Sequence, residues 1–140
     1  MSNQNKISDV KKHLSSAGIY PTSQRLTIAK VLFARYQHLT ADQLYDKISK
    51  SSKSVSRATV YNSLKLFTEK KLVREVNVEA SRTFYDTNMQ PHHHFYNIDS
   101  GELTDIKDQA VSQYFSHHLP DGMMVEEIDV TIRIRNCKSA

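Results

Sequence analysis

Residues 56–88 read SRATVYNSLKLFTEKKLVREVNVEASRTFYDTN, and this stretch decides the fold of the first part of the chain. Ser56 is a favourable helix N-cap, and Val60, Leu64 and Phe67 follow at helical spacing. Two short segments rich in β-branched and aromatic residues come next, on either side of the residues EAS. The stretch therefore predicts a helix that runs directly into a β-hairpin.

Three further helices are predicted upstream of this stretch. The first covers residues 6–17 and ends at Gly18, the second starts after Pro21, and the third has Thr40 as its N-cap. A series of short helices followed by a two-stranded wing is typical of the winged helix-turn-helix domain, which places one helix in the major groove of DNA. We assign this domain to residues 1–86.

The remainder of the chain predicts a smaller α/β domain at 92–140, joined by a hinge at 87–91. HHHFYNI and GELTDI indicate a second hairpin, KDQAVSQYFSHHL a helix, and EIDVTIRIR a half-buried strand with alternating apolar residues. About 50 residues bury too little apolar surface to be comfortably stable alone. The predicted fold class is therefore α+β, a winged-helix domain plus a small dimerisation domain, and we expect a homodimer.

The distribution of charge also divides the chain. Residues 1–90 carry 15 lysines and arginines against 7 acidic residues, whereas residues 91–140 carry 4 against 8. A basic surface favours a polyanion such as double-stranded DNA. No apolar run approaches the length of about 20 residues that spans a bilayer, and the N-terminus lacks the apolar core of a signal peptide. We expect a cytoplasmic protein without a membrane partner.

Six side chains are candidates for contacts with DNA. Most lie near the start of the helix in the quoted stretch, where arginine can pair with guanine and asparagine or tyrosine can touch other base edges. Another arginine, further upstream, is a candidate phosphate contact. The alternative is a solvated amphipathic helix without a ligand. The candidates are Arg25, Arg57, Thr59, Tyr61, Asn62 and Lys65.

Three consecutive histidines form the most unusual motif. In a strand, His92 and His94 point to one face and His93 to the other, so the first two form a chelating pair. Mixed histidine and carboxylate ligands suit iron, manganese or zinc, and spacing does not choose among these metals. The alternative is a polar hairpin of exposed histidines. Candidates for the remaining ligands are His38, Asp86 and Asp105.

A metal site with ligands from both domains would make the relative orientation of the domains depend on the metal concentration. The affinity for DNA would then depend on the metal concentration as well. His117 and His118 follow the predicted helix of the second domain. They form a weaker candidate for a second site, together with His93.

Several of these motifs resemble the ferric uptake regulator superfamily of metal-responsive bacterial transcription factors. They are PTSQRL, HLTADQLYDKI, SRATVYNSLKLFTEKKLV, YDTN and HHHF. Within the superfamily, the run from FYDTN and HHHF through GELTDI to LPDGMMVEEIDVTIRIR looks most like the iron response regulator branch. That resemblance implies a dimeric winged-helix regulator of iron and haem homeostasis, with haem as a candidate signal and the three histidines as part of a haem-responsive site.

The related peroxide-sensing branch implies a ligand set of five residues. Its two histidines, two aspartates and one histidine of the DNA-binding domain correspond to His92, His94, Asp86, Asp105 and His38. The tyrosine of the family's recognition helix corresponds to Tyr61. Many members bind zinc through Cys-x-x-Cys pairs, but the first pair reads Asn97 and Ser100 here and Cys137 is the single cysteine. We therefore expect no cysteine-bound structural zinc.

Four kinds of function are considered for a chain with these motifs. We favour an iron and haem response regulator, and the alternative is a peroxide-sensing repressor that uses Fe(II) or Mn(II) at the same five ligands. An enzyme is not expected, because no nucleophile elbow, HExxH motif or glycine-rich phosphate loop is present. A buffer protein for metal or haem would bind its ligand without protecting promoter DNA.

Overall fold

The chain divides into two compact units, Met1–Met89 and Gln90–Ala140, in a computed structural model. The structure describes residues 6–51, 54–106 and 110–138. Each unit combines helical structure with a three-stranded sheet, four helices in the described part of the first unit and one in that of the second, which confirms the predicted α+β class. Within this described part of the chain, no helix is long and apolar enough to cross a membrane.

In its described residues, the first unit contains four helices and three strands, in the order α1, α2, β1, α3, α4, β2, β3. Their bounds are Val10–Ser16 for α1, Ser23–Leu32 for α2, His38–Thr40 for β1, Ala41–Lys50 for α3, Arg57–Glu69 for α4, Arg74–Glu79 for β2 and Arg82–Asp86 for β3.

The helices of this unit begin at N-cap residues, as the sequence predicts for α3 and α4. The Thr40 hydroxyl accepts a hydrogen bond from the Gln43 backbone, and the Gln43 side chain accepts one from the Thr40 backbone, so α3 starts with a complete capping box. Ser56 accepts from the backbone N–H of Thr59 at the start of α4. These caps satisfy backbone donors that have no partner inside the helix.

A continuous apolar core holds the helices of the first unit together. Its members come from all four helices, and the core side chains of α4 are fully buried, so the opposite face of this helix is left for solvent or a ligand. Residues of the core with no measurable exposure are Leu14, Ile28, Ala29, Leu32, Leu44, Val60, Leu64 and Phe67.

The first sheet has the order β1-β3-β2, with antiparallel pairs. The β2–β3 hairpin is the predicted wing, whereas β1 is not predicted from the sequence. Its three residues between two helices look like a connection, and they become a strand because His38, Leu39 and Thr40 pair with the distant β3. The pairing places the side chain of His38 directly opposite that of Asp86.

The second unit is a sheet of order β5-β4-β6 with one short helix among the residues that the structure describes. Antiparallel β4–β5 is the predicted hairpin, and β6 pairs with β4 in parallel. Residues 107–109 of the predicted helix lie outside the described residues. The bounds are His93–Asn97 for β4, Leu103–Ile106 for β5, Ala110–Ser116 for α5 and Thr131–Ile134 for β6.

Two details of the second unit differ from the sequence-based expectation. Strand β4 begins at His93, so His92 precedes it, and β6 begins only at Thr131, which pairs with His94 of β4. The predicted half-buried face of β6 is also more open than expected, since Ile132 and Ile134 are 42% and 38% exposed.

Candidate functional site: a metal centre and a DNA-facing helix

Two histidines of the second unit converge on one carboxylate. Asp105 lies directly opposite His94 in the β4–β5 pair. Its Oδ1 is 3.4 Å from Nε2 of His94 and 3.6 Å from Nε2 of His92. One ligand atom from each of these three residues lies within 4.8 Å of the others. The histidines are almost fully buried, whereas Asp105 is 41% exposed, so the cluster is accessible from its carboxylate side.

The ring of His92 is oriented by a contact with the backbone two residues earlier in the chain. Its Nδ1 lies 2.6 Å from the carbonyl oxygen of Gln90. A carbonyl oxygen only accepts hydrogen bonds, so Nδ1 carries a proton, and in the neutral ring Nε2 is then the nitrogen that has a free lone pair. Metal-binding histidines commonly donate the second ring N–H to a carbonyl in this way.

The separations within the cluster fit a shared cation. A direct N–H···O hydrogen bond is normally about 2.7–3.2 Å long, which is shorter than either distance to Asp105. Two ligand atoms that each lie about 2.0–2.2 Å from a tetrahedral cation stand about 3.3–3.6 Å apart. His92, His94 and Asp105 therefore offer two nitrogens and one oxygen at suitable spacing, with a donor set that suits zinc, iron or manganese.

The other two predicted ligands lie in the first unit. His38 on β1 and Asp86 at the end of β3 are cross-strand partners, so their side chains share one face of the sheet. Asp86 is only 1% exposed, and its Oδ1 accepts a hydrogen bond from the backbone of Asn88. Thr87 and Gln37 exchange hydrogen bonds next to this pair and hold the two strand ends together.

The three histidines proposed for a second site are not gathered into a comparable cluster. His93 is 2% exposed, and its Nδ1 accepts a hydrogen bond from the backbone N–H of Val130, which ties β4 to the segment before β6. His117 and His118 are exposed, and His118 stacks on Tyr114. Among the described residues, these three histidines form no group of ligand atoms like the one at Asp105.

Most of the predicted DNA contacts lie on α4. Arg57, Tyr61, Asn62 and Lys65 are exposed on the face opposite the core. Thr59 is half-buried, and its hydroxyl lies 2.9 Å from that of Ser56, so it belongs to the cap of the helix. The sixth candidate is Arg25 of α2, whose Nη1 donates a hydrogen bond to the carbonyl of Tyr20.

Sequence reasoning missed Asp42, which contacts two of these candidates. One oxygen of this α3 carboxylate accepts hydrogen bonds from Arg57 at 2.8 Å and from the Tyr61 hydroxyl at 3.2 Å. Partial burial and the nearby Asp42 charge raise the pKa of Tyr61, so its hydroxyl remains protonated at neutral pH. In the sequence, Asp42 is indistinguishable from any acidic residue of a first helical turn.

Comparison with known proteins links these features to one family. The chain matches the ferric uptake regulator family over residues 16–133. It is 30% identical over 110 residues to the peroxide-responsive repressor PerR of Staphylococcus aureus strain Mu50, an alignment that covers 77% of this chain and 74% of the relative.

Two solved structures resemble the chain over most of its length. The peroxide stress regulator of Campylobacter jejuni is 33% identical, with a TM-score of 0.66 and coverage of 94% of this chain and 96% of that one. The ferric uptake regulator of Pseudomonas aeruginosa with manganese is 23% identical, with a TM-score of 0.79 and coverage of 91% and 98%, and this likeness supports the fold.

Proposed function

The chain belongs to the ferric uptake regulator family, and from this premise we propose that a cation held by both of its units controls its affinity for promoter DNA. Members of the family are metal-responsive transcriptional regulators rather than enzymes, and they bind DNA as dimers. We place its action in the cytoplasm. The proposed ligands are His38, Asp86, His92, His94 and Asp105.

A single observation carries this proposal. The Nε2 atoms of His92 and His94 lie 3.6 and 3.4 Å from the same oxygen of Asp105, which suits ligands of one cation better than direct hydrogen bonds. The hydrogen bond from His92 to the carbonyl of Gln90 supports it, because it prepares Nε2 as a ligand before any metal arrives.

The first unit would contribute the remaining two ligands. His38 and Asp86 face the same side of their sheet, and the buried carboxylate of Asp86 is anchored by the backbone of Asn88. His38 lies in β1, which leads directly into α3, and α3 packs against α4. Asp86 ends β3, the second strand of the wing. A cation bound to all five residues would restrict how the winged-helix domain is oriented.

The control of DNA binding follows from differential affinity. If the cation binds more tightly to the orientation that fits DNA, then DNA in turn raises the affinity for the cation by the same factor. Couplings of this kind are typically about 1–3 kcal/mol, which corresponds to a change of about 5–150-fold in DNA affinity. When bound, the metal supplies a positive charge that offsets the carboxylates and, if it is Fe(II), a reductant for peroxide.

The proposal is tested by replacing ligand histidines. His92→Ala and His94→Ala should each weaken binding of Mn²⁺ by more than about 100-fold, which exceeds the usual loss for a residue that only orients a ligand. Titration of MnCl₂ measures cation affinity, and fluorescence anisotropy on a duplex selected by the wild-type protein from a random library measures DNA affinity. His117→Ala is the matched control, since it removes an exposed histidine of the same unit. If DNA binding by both ligand variants depends on Mn²⁺ as it does in the wild type, the proposed site does not control DNA binding.

Two signals are candidates for this regulator. A peroxide response is favoured by the similarity to the S. aureus repressor and to the C. jejuni peroxide stress regulator. An iron and haem response, our first expectation from the sequence, is favoured by the resemblance of residues 84–135 to the iron response regulator branch. In this second case, the exposed His117 and His118 are the histidines that haem can reach without rearrangement.

One experiment separates the two signals. Protein loaded with Fe(II), with Mn(II) as the redox-silent comparison, is bound to the selected duplex and exposed to stoichiometric peroxide or to haem. A peroxide sensor releases DNA on addition of peroxide when it holds Fe(II) but not when it holds Mn(II). Peptide mass spectrometry should then show oxidation of a ligand histidine. Release by haem that is lost in His117→Ala/His118→Ala identifies the haem response.

A further inference from the structure

The side chain of Asp42 joins two residues of the DNA-facing helix on a single atom. Asp42 is the second residue of α3, and its Oδ1 accepts both the guanidinium of Arg57 and the hydroxyl of Tyr61. These two residues are four positions apart on α4, so they lie on the same face of that helix. The carboxylate of one helix thus gathers two donors of the other.

A second residue of α3 completes the arrangement. The guanidinium of Arg57 lies over the ring of Tyr45, 4.3 Å from the ring centroid. Tyr45 is one turn beyond Asp42, so α3 contacts the guanidinium both at its edge and on its flat face. Arg57 is consequently held in one orientation although its side chain is 58% exposed.

The charge of this group matters for DNA. An ion pair this exposed, with 58% and 65% of the side chains accessible, contributes little to stability. It does, however, cancel the charge of Arg57, and an uncancelled arginine on a DNA-facing surface would bind phosphates of any sequence. Neutralisation therefore lowers the sequence-independent part of DNA binding.

Asp42 and Tyr61 face a cleft between α3, α4 and the wing. Asp42 and Tyr61 line a cleft of about 500 Å³ whose opposite wall is the wing, including Glu79, Ser81 and Arg82. The cleft lies between the start of α3, the exposed face of α4 and the tip of the β2–β3 hairpin, the surface that a winged helix-turn-helix domain presents to a duplex.

We propose that Asp42 is a specificity-determining residue, which neutralises Arg57 and fixes Tyr61 so that both read base edges instead of binding phosphates. The inference rests on the proposed role of α4 in DNA reading. Asp42 acts through Arg57 and Tyr61, so it is a positioning residue, and its effect should appear in the ratio of specific to non-specific affinity.

The test compares Asp42→Asn with Asp46→Asn in the full-length, Mn²⁺-loaded protein. Both variants remove one acidic charge from an exposed position of α3, but only the first removes the partner of Arg57. The probes are the duplex that the wild-type protein selects from a random library and a scrambled duplex of the same composition, each measured by anisotropy from 50 to 200 mM salt.

We expect Asp42→Asn to bind the scrambled duplex about tenfold more tightly, because each dimer gains two phosphate-binding cations worth about threefold each. The slope of the logarithm of the binding constant against the logarithm of the salt concentration should steepen by up to about 1.8. The ratio of affinity for the selected duplex to affinity for the scrambled duplex should fall by at least about tenfold. Asp42→Ala, which also removes the acceptor of the Tyr61 hydroxyl, should lower the ratio further. Asp46→Asn should retain the wild-type ratio and slope, and all variants should melt like the wild type.

Two outcomes would overturn the inference. If Asp42→Asn keeps the wild-type ratio, or if Asp46→Asn lowers it equally, Asp42 has no specific role while α4 can still read DNA. If the wild-type protein enriches no sequence from the library, the proposed function fails as well, which distinguishes the two failures.

Discussion

The two units of the chain differ in how completely they bury their apolar side chains. In the first, helices from Val10 to Glu69 enclose one continuous core. In the second, Tyr96 and Leu103 are the buried apolar residues among those described, while Ile132 and Ile134 remain exposed on β6. The first unit buries its core side chains within itself, whereas the second presents an apolar face that a second copy of the chain can cover.

This difference suits the separate tasks of the two units. The proposed reading of DNA by α4 needs a rigid support for that helix, and the buried side chains of α4 provide it. In the proposed function the second unit holds a cation and contacts a second copy of the chain, and both would add stability to a unit with little core of its own. The contrast therefore predicts where mutations act on folding and where they act on assembly.

The largest effect is expected from breaking the core of the first unit. Leu64→Ala removes a side chain with no measurable exposure, and such substitutions cost about 2–5 kcal/mol. Urea unfolding followed by far-UV circular dichroism measures the loss. Glu69→Ala, at an exposed position of the same helix, is the control and should change stability by less than about 0.5 kcal/mol. A cost near that of the control would show that this core is loosely packed.

An intermediate effect is expected from charging the open face of the second unit. Ile132→Asp should raise the dissociation constant of the dimer by at least about 100-fold, because each subunit loses the burial of one isoleucine and gains a charge in the interface. Sedimentation equilibrium measures the constant, and the first unit should keep its far-UV spectrum. Arg133→Ala, on the other face of the same strand, is the control. A dimer that tolerates Ile132→Asp would place the interface elsewhere.

The smallest effect concerns a histidine of the first unit that has a structural role. The ring of His13 contacts Phe33 edge-on, with centroids 4.8 Å apart, and burial lowers the pKa of His13 below its ordinary value of 6.5. The unfolded chain therefore takes up the proton at higher pH than the folded chain. The contribution of neutral His13 is fully present above about pH 6.5 and is lost as the pH falls through the depressed value.

Replacement of this histidine tests the sign of that effect. On acidification from pH 7.5 to 5.5, metal-free wild-type protein should lose more thermal stability than His13→Gln, as measured by differential scanning calorimetry. Equal losses in the two proteins would assign the pH dependence to other groups. A result of the expected sign sharpens the comparison, because it separates a packed histidine of the first unit from the proposed metal ligands of the second, His92 and His94.

Short-range patterns in the sequence determined much of this protein. The N-caps Thr40 and Ser56, the spacing of Val60, Leu64 and Phe67, and the β-branched and aromatic residues of the wing predicted elements that the structure contains. The hairpin that brings Asp105 opposite His94 was also readable, because a strand–turn–strand unit is encoded within a few residues. Caps, helical periodicity and turns depend on neighbours along the chain, so one sequence suffices to read them.

Only the tertiary structure decided the remaining features. Strand β1 exists because it pairs with β3, and that pairing alone brings His38 opposite Asp86. The contact of Asp42 with Arg57 and Tyr61 depends on how α3 crosses α4, and the exposure of Ile132 depends on what packs against its face of the second sheet. These contacts join residues that are far apart along the chain, and no local period records which distant partner a side chain will meet.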